Sequence, residues 1–252
     1  PASCLGCQGR QRNRAAPSGR KLTSTTPDAR AASAEEPTQP EPGQRWACDF
    51  SRTFSAPDIW DNNCFVVFVE WRTLYLALYL LQQHDDFWEK TEDHIAWVRS
   101  RLGVAVTEIY TDSDPMWRNS RGAYQPDTQK AKTFSQKHWL SFTCSPPYAH
   151  QFNLAECRVS SVYGVVNCGM QYGHSAIKMW GPAAAGAPSI INIRPVPGST
   201  RPELKGKSPQ EALFGRKPTV TILAGAFMAN CWAKVPGSKP SQLRANGTAS
   251  VY

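Results

Sequence analysis

Between residues 45 and 160 the apolar positions change period several times, and each change marks an element. Arg45-Trp-Ala-Cys-Asp-Phe50 reads as a first strand. Cys64-Phe-Val-Val-Phe-Val-Glu70 is an unbroken β-branched and aromatic run, which suits a central strand buried on both faces. A tight link at Trp71-Arg72 leads into Thr73 to Leu81, a third strand antiparallel to the second. Asp85 and Asp86 then open a helix, with Asp86 and Glu89 as its capping box. Phe87, Ile95, Val98 and Leu102 recur at helical spacing, and Gly103 supplies the stop. Val104 to Tyr110 reads as a fourth strand ending on Thr111-Asp112. Beyond Gly122 and Pro126, residues 127 to 138 are helical in pattern, and Trp139 to Thr143 form a short fifth strand closed by Ser145-Pro146-Pro147. A helix beginning near His150 carries Glu156.

Three strands, helix, strand, helix, strand, helix is a meander followed by strand–helix alternation. Such an order implies an α/β fold, a mixed five-stranded sheet with helices on both faces. It is the order of the ribonuclease H-like fold. Residues 8 to 45 are different: Arg, Ser, Thr, Ala, Gln and Pro dominate, with almost no large apolar side chains. A segment of that composition cannot bury enough surface to fold alone and reads as a flexible linker, so the ordered domain should begin near Trp46.

Composition narrows the partner. The 252 residues carry 28 Lys and Arg against 20 Asp and Glu, a net charge of +8, which favours an anionic partner such as nucleic acid or a charged surface. The longest apolar runs are too short to span a bilayer, so no membrane partner is expected. The N-terminus lacks a signal-peptide pattern, and the absence of an initiator Met suggests a piece of a longer product. Eight Cys include a single close pair, Cys4 and Cys7, which is no disulfide framework and suggests a reducing compartment inside the cell.

Three acids stand where such a sheet would gather them: Asp49 on the first strand, Asp112 at the end of the fourth, and Glu156 on the helix after the fifth. Clustered carboxylates repel one another unless a cation neutralises them. Mg²⁺ or Mn²⁺ fits, because it takes oxygen ligands and keeps room for phosphate oxygens. Two such ions can activate an attacking oxygen and stabilise a leaving one at phosphorus. Taken singly, each acid is more often a cap or turn residue; Asp114 is the near alternative to Asp112, whose Thr-Asp context after a strand is the better match.

The surrounding sequence is more specific. Trp46-Ala-Cys-Asp49-Phe50 resembles the first-aspartate strand of retroviral and copia-type retrotransposon integrases, and Tyr110-Thr-Asp112-Ser-Asp resembles their second motif. Ser145-Pro-Pro-Tyr148-Ala-His-Gln151-Phe-Asn153-Leu-Ala-Glu156 resembles the motif around the third acid. Trp180-Gly-Pro-Ala183, Ala187, Ile190-Ile191-Asn192 and Pro195 match the helix that follows the core in copia-type members. Lys207-Ser-Pro-Gln-Glu211-Ala-Leu-Phe-Gly215-Arg-Lys-Pro218 resembles a further segment of that family, and Cys4-Leu-Gly-Cys7 resembles the end of its His-His-Cys-Cys zinc module. The likeness covers residues 4 to 9 and 43 to about 240.

The resemblance implies a core over residues 45–200, an extension over 201–252, a linker over 10–44 and the end of a zinc module over 1–9. It implies metal-dependent processing of DNA 3′ ends and strand transfer. Asp49, Asp112 and Glu156 would be the catalytic metal ligands, and Asn153 and Arg158 would contact DNA. Zn²⁺ would be held by Cys4 and Cys7 only with upstream His ligands of a longer protein. Element ends and target DNA as partners, a homo-oligomer and a nuclear location follow by the same analogy.

Departures accompany the likeness. The interval from Asp112 to Glu156, 156 − 112 = 44 positions, is long for the family and implies an insertion after Trp117. Leu154 replaces the Gly after Asn153, and Cys157 replaces the Arg after the glutamate. Ser160, Ser161 and Tyr163 stand where basic residues would grip DNA ends. Gly186 and Pro188 should break the helix behind the core. A degenerate nucleic-acid-binding relic and another ribonuclease H-like nuclease therefore stay open. So do two readings of Arg10, Arg12, Arg14, Arg20 and Lys21: phosphate contacts or a solvated linker. Trp71, Trp88, Trp97 and Trp139 read as core and rim packing, and His150 as a polar neighbour of the site.

Overall fold

The computed structural model of the protein describes residues 40–111, 129–144, 154–172, 176–196, 199, 201–218, 230–233 and 248–251. Strands β1 (Arg45–Phe50), β2 (Cys64–Glu70), β3 (Leu76–Leu81), β4 (Glu108–Thr111) and β5 (Ser141–Cys144) form one sheet in the order β3-β2-β1-β4-β5. β1 pairs antiparallel with β2 and parallel with β4, while β5 runs parallel to β4. The expected mixed sheet is therefore present. Helices α1 (Phe87–Leu102) and α2 (Gln129–His138) cover one face; α3 (Leu154–Tyr172) and α4 (Trp180–Asn192) cover the other. A short α5 (Pro209–Phe214) follows, and β6 (Asn230–Ala233) pairs antiparallel with β7 (Thr248–Val251).

The strand period explains the two cores. Every residue of β2 is buried: Val66 and Phe68 pack with Trp46, Phe87, Ile95 and Val98 on one side, Phe65, Val67 and Val69 with α3 and α4 on the other. Full burial of each such apolar side chain contributes about 1.5–3 kcal/mol, so β2 anchors both layers. Cys64 belongs to the first core, where burial, reinforced by Asp86, pushes its thiol up to about 11. Cys64 and Cys157 are free thiols.

Element ends depart from the sequence expectation for identifiable reasons. The third strand starts at Leu76 instead of Thr73 because the buried Glu70 carboxylate gathers the N–H groups of Arg72 (3.0 Å) and Thr73 (2.6 Å) and the Thr73 hydroxyl (2.7 Å) into a turn, with Leu74 at φ 57°. Gly43 N–H completes that set at 3.1 Å, fastening residues ahead of β1 to the turn. The Asp86–Glu89 capping box does not form. Residues His84–Asp86 make a 3-10 turn, Asp86 accepts from the Gln82 and Gln83 N–H groups (2.9 and 3.0 Å), and Glu89 bonds Lys90. Gly103 does end α1, at φ 71°.

β4 begins at Glu108, not Val104, because Glu108 is the residue that pairs with Arg45, the first residue of β1. β5 begins at Ser141 because Trp139 adopts φ 55° to close α2, with Leu140 N–H bonded to Ser135 O at 3.2 Å. That conformation leaves Trp139 90% exposed, so it does not pack in the rim, unlike Trp71, Trp88 and Trp97. Finally, α4 is continuous through Gly186 and Pro188. Its stripe of Trp180, Ala183, Ala184, Ala187 and Ile191 is buried, and Asn192 bonds both the N–H and the C=O of Leu76 on the edge strand at 2.8 Å. Tertiary anchoring at both ends outweighs the one hydrogen bond that Pro188 removes.

The residues beyond 200 are docked as well. Arg201 donates to the Trp71 and Arg72 carbonyls, Glu203 accepts from Arg72 Nε at 2.8 Å, and Phe214 meets Tyr75 and Trp97 edge-on. Ser208 caps α5 by accepting from Glu211 N–H at 3.2 Å.

His94 on α1 is fully buried among Trp46, Phe68, Tyr79 and Trp97, its Nδ1 lying 3.2 Å from Tyr79 Oη. Burial lowers its pKa to about 3, against about 6.5 in the unfolded chain. The unfolded state therefore binds the extra proton below about pH 6.5 and is favoured there, with a limiting slope of about 1.4 kcal/mol per pH unit. Thermal midpoints measured between pH 7.5 and 5 should fall below pH 6.5 in the parent and fall less steeply in His94→Phe.

Candidate functional site

Because β1, β4 and β5 run parallel, their C-terminal ends meet at one edge of the sheet. In open α/β sheets that edge is where ligands bind. Asp49 is the penultimate residue of β1, two positions beyond Ala47 and so on the same face, the one covered by α3. It is half-buried, and its Oδ1 accepts from the Phe50 N–H at 2.8 Å. β4 ends at Thr111, which pairs with Cys144 of β5.

Helix α3 brings the second carboxylate. Ala155, Val159, Val162 and Val166 form its buried stripe and pack with Ala47, Phe65, Val67 and Tyr110. Ala155 and Ala47 are both 0% exposed. Two alanines here allow the first turn of α3 to lie close upon β1. Glu156, next to Ala155, stands exposed in that first turn, where the helix dipole favours negative charge. Arg158 is half-buried. Desolvation lowers its pKa, the Cys157 thiol opposes this, and the neighbouring positive charge of Arg201 adds to it.

Asp49 thus lies on the sheet face that α3 covers, and Glu156 lies in the first turn of that helix. Asp112, Asn153, Cys4 and Cys7 lie outside the described residues, as do Asp114 and His150. Among the described residues no three His, Cys, Asp or Glu side chains form a metal-holding group. Asp49 and Glu156 offer carboxylate oxygens, the donor chemistry that suits a hard divalent cation such as Mg²⁺ or Mn²⁺.

One feature of the site carried no sequence signal. The chain from Arg52 to Asn62 is strapped onto α3 and α4. Arg52 N–H donates to Tyr163 Oη at 3.0 Å, Phe54 stacks on Trp180 at 3.8 Å, and Trp180 Nε1 donates to Ala56 O at 3.0 Å. Ile59 N–H bonds Lys178 O at 3.1 Å. Asp58, 1% exposed, accepts from Trp60 N, Asn62 N and Asn62 Nδ2 and lies against Gly181, where an added Cβ would sit 1.7 Å from its Oδ2. Phe54 and Asp58 follow no period, so nothing in the sequence marked them, while Trp180, Gly181 and Tyr163 drew notice only in comparison with the family's motifs.

No family model matches the chain, and no curated protein matches it in sequence. Among solved structures, it is similar to the simian T-cell lymphotropic virus intasome in complex with PP2A regulatory subunit B56 gamma. That match has 14% identity and a TM-score of 0.50, over 83% of this chain and 68% of that one. Two forms of the HTLV-2 integrase catalytic core domain in complex with magnesium also match. The trimeric form has 14% identity and a TM-score of 0.47 over 68% of this chain and 97% of that one. The dimeric form has 15% identity and a TM-score of 0.44 over 64% and 94%. At such identity the intasome match shows the fold, the ribonuclease H-like sheet with its helices.

Two substitutions test this packing. Ala155→Leu should cost about 1–3 kcal/mol by overpacking α3 against β1, read as a lower denaturant midpoint with unchanged m-value. Gly181→Ala should destabilise at least as much, because its methyl group collides with a buried carboxylate that has nowhere to move; a midpoint equal to the parent's would disprove the contact.

Proposed function

We propose that this chain is the catalytic core region of a copia-type retrotransposon integrase, a metal-dependent DNA-joining enzyme. The observation that carries the reading is the placement of Asp49 and Glu156. Asp49 stands next to last in β1 and Glu156 in the first turn of the helix that covers that face, each inside a sequence that resembles the family's motif for that acid. Asp112, directly after the last residue of β4, completes the proposed set.

In this reading Asp49, Asp112 and Glu156 would hold Mg²⁺ or Mn²⁺ where DNA phosphate binds. The ions would supply charge neutralisation and activation of the attacking oxygen. The carboxylates fix the site on rigid strands and a packed helix, so orientation is set before DNA arrives. In end processing, water oxygen forms the new P–O bond as the bond to the leaving 3′ oxygen breaks. In joining, the freed 3′ hydroxyl attacks target phosphorus; the attacking group loses its proton and the leaving oxygen gains one. No covalent enzyme intermediate is involved. Asn153 and Arg158 are proposed DNA contacts, and the positive net charge of +8 suits a polyanion.

The proposed organisation follows the same resemblance: the end of a zinc module over 1–9, a linker over 10–44, a core over 45–200 and an extension over 201–252. Cys4 and Cys7 would hold Zn²⁺ within a longer protein. A homo-oligomer bridging two DNA ends, acting in the nucleus, completes the proposal. A second reading, a catalytically degenerate relic, is favoured by one observation: Tyr163, which stands where the family carries a basic residue, is engaged with the Arg52 backbone.

Disintegration of a branched DNA substrate separates the two readings, since it needs no knowledge of the element's ends. The purified chain should release and rejoin strands with Mg²⁺ or Mn²⁺, and Asp112→Asn should lower the rate by at least about 100-fold, as loss of a transition-state charge stabiliser does. DNA binding without joining in the parent would establish the relic instead.

A further inference from the structure

We infer that Tyr163 is a positioning residue, its phenol tying the helix that carries Glu156 to the strand end that carries Asp49 and so setting the spacing of the two carboxylates. The inference rests on the proposed role of those carboxylates as metal ligands.

Tyr163 follows Glu156 by seven residues, two turns of α3, which puts both side chains on nearly the same side of the helix. Arg52 follows Asp49 by three residues. The N–H groups of Ser51 and Phe54 continue the pairing with the β2 side, bonding Phe65 O and Asn63 O at 2.8 Å each. Arg52 N–H, lying between them, turns away to Tyr163 Oη at 3.0 Å. The phenol is held in place on its own account. Its ring lies 5.6 Å from that of Phe65 on β2 and 5.8 Å from that of Phe54 on the strap. The rest of α3 near Glu156 contacts the sheet through apolar side chains, which resist separation but slide easily. A hydrogen bond is directional, so this one fixes the register of α3 along β1.

Register matters for the choice of cation. Mg²⁺ demands near-ideal octahedral geometry with short bonds, whereas Ca²⁺ accepts six to eight oxygens in flexible arrangements. A small slide of Glu156 relative to Asp49 would therefore weaken Mg²⁺ much more than Ca²⁺. A substitution that merely loosened the fold would lower the metal-free midpoint and leave the preference between the ions unchanged.

The test is the thermal midpoint of the purified chain titrated with Mg²⁺ and with Ca²⁺, for the parent, Glu156→Gln and Tyr163→Phe, a readout independent of catalysis. The parent should be stabilised by Mg²⁺, and Glu156→Gln should abolish that response. Tyr163→Phe should keep a metal-free midpoint within about 5 °C of the parent, the scale expected for one exposed hydrogen bond. It should need at least about fivefold more Mg²⁺ for half its shift while its Ca²⁺ response stays near the parent's. A Tyr163→Phe protein with the parent's Mg²⁺ response overturns the inference and leaves the metal site standing. Equal weakening toward both ions, or a metal-free midpoint far below the parent's, also overturns it, as a general structural role. A parent with no Mg²⁺ response that depends on Glu156 overturns the inference and the metal-ligand reading together.

Discussion

The parallel pairing of β1 with β4 is the constraint on which the rest of the molecule depends. It sends two strands out of the sheet at the same end, and antiparallel β2 leaves that end open by running the other way. Because β2 is buried on both faces, the sheet cannot shift relative to either helical layer without exposing apolar surface. Asp49 shares its face with Ala47, and Ala47 meets the layer to which Ala155 belongs. Glu156 is the next residue after Ala155, so its placement follows from strand parity and two small side chains.

Polar fastenings then hold the layers where the apolar contacts leave them free to slide. At the end of the sheet remote from Asp49, Glu70 accepts from Gly43, Arg72 and Thr73, so a fully buried carboxylate is supplied with donors. Arg201 and Glu203 extend that cluster to the residues beyond 200. At the other end the strap from Arg52 to Asn62 joins β1 to α3 and α4 through Tyr163, Trp180 and Gly181. The half-exposed Arg72–Glu203 pair contributes modestly to stability by itself; its effect is to fix a segment in place.

Much of this was legible in the sequence, for physical reasons. β2 is an unbroken apolar run, so its bounds at Cys64 and Glu70 could be read directly, and the Arg45–Phe50 strand likewise. What failed depended on contacts that the apolar pattern does not announce, some distant in sequence and some within a turn. The start of β4 is set by Gln44, whose carbonyl accepts from Thr107 and Glu108, and by the beginning of β1. The turn at Thr73 is set by a carboxylate that reads locally as the last residue of a strand. Trp139 looked like packing because it is aromatic, yet it occupies a helix-closing position with positive φ, where its side chain faces solvent. Pro188 looked like a break because the anchoring of Asn192 to Leu76 spans 116 residues of sequence. Of the candidate site, Asp49 and Glu156 were recognisable from their motifs. Tyr163 was noticed only as a missing basic residue, since its partner is a backbone N–H that no side-chain pattern announces.

The proposed function requires that Asp49 and Glu156 bind a divalent cation together. A crystal of the chain soaked in Mn²⁺ and measured at the manganese absorption edge tests it most directly. Bound Mn²⁺ should give an anomalous peak at about 2.0–2.3 Å from carboxylate oxygens of both residues, at hard-cation bonding distance. A peak bound elsewhere, or well-ordered Asp49 and Glu156 carboxylates with no peak between them, would contradict it.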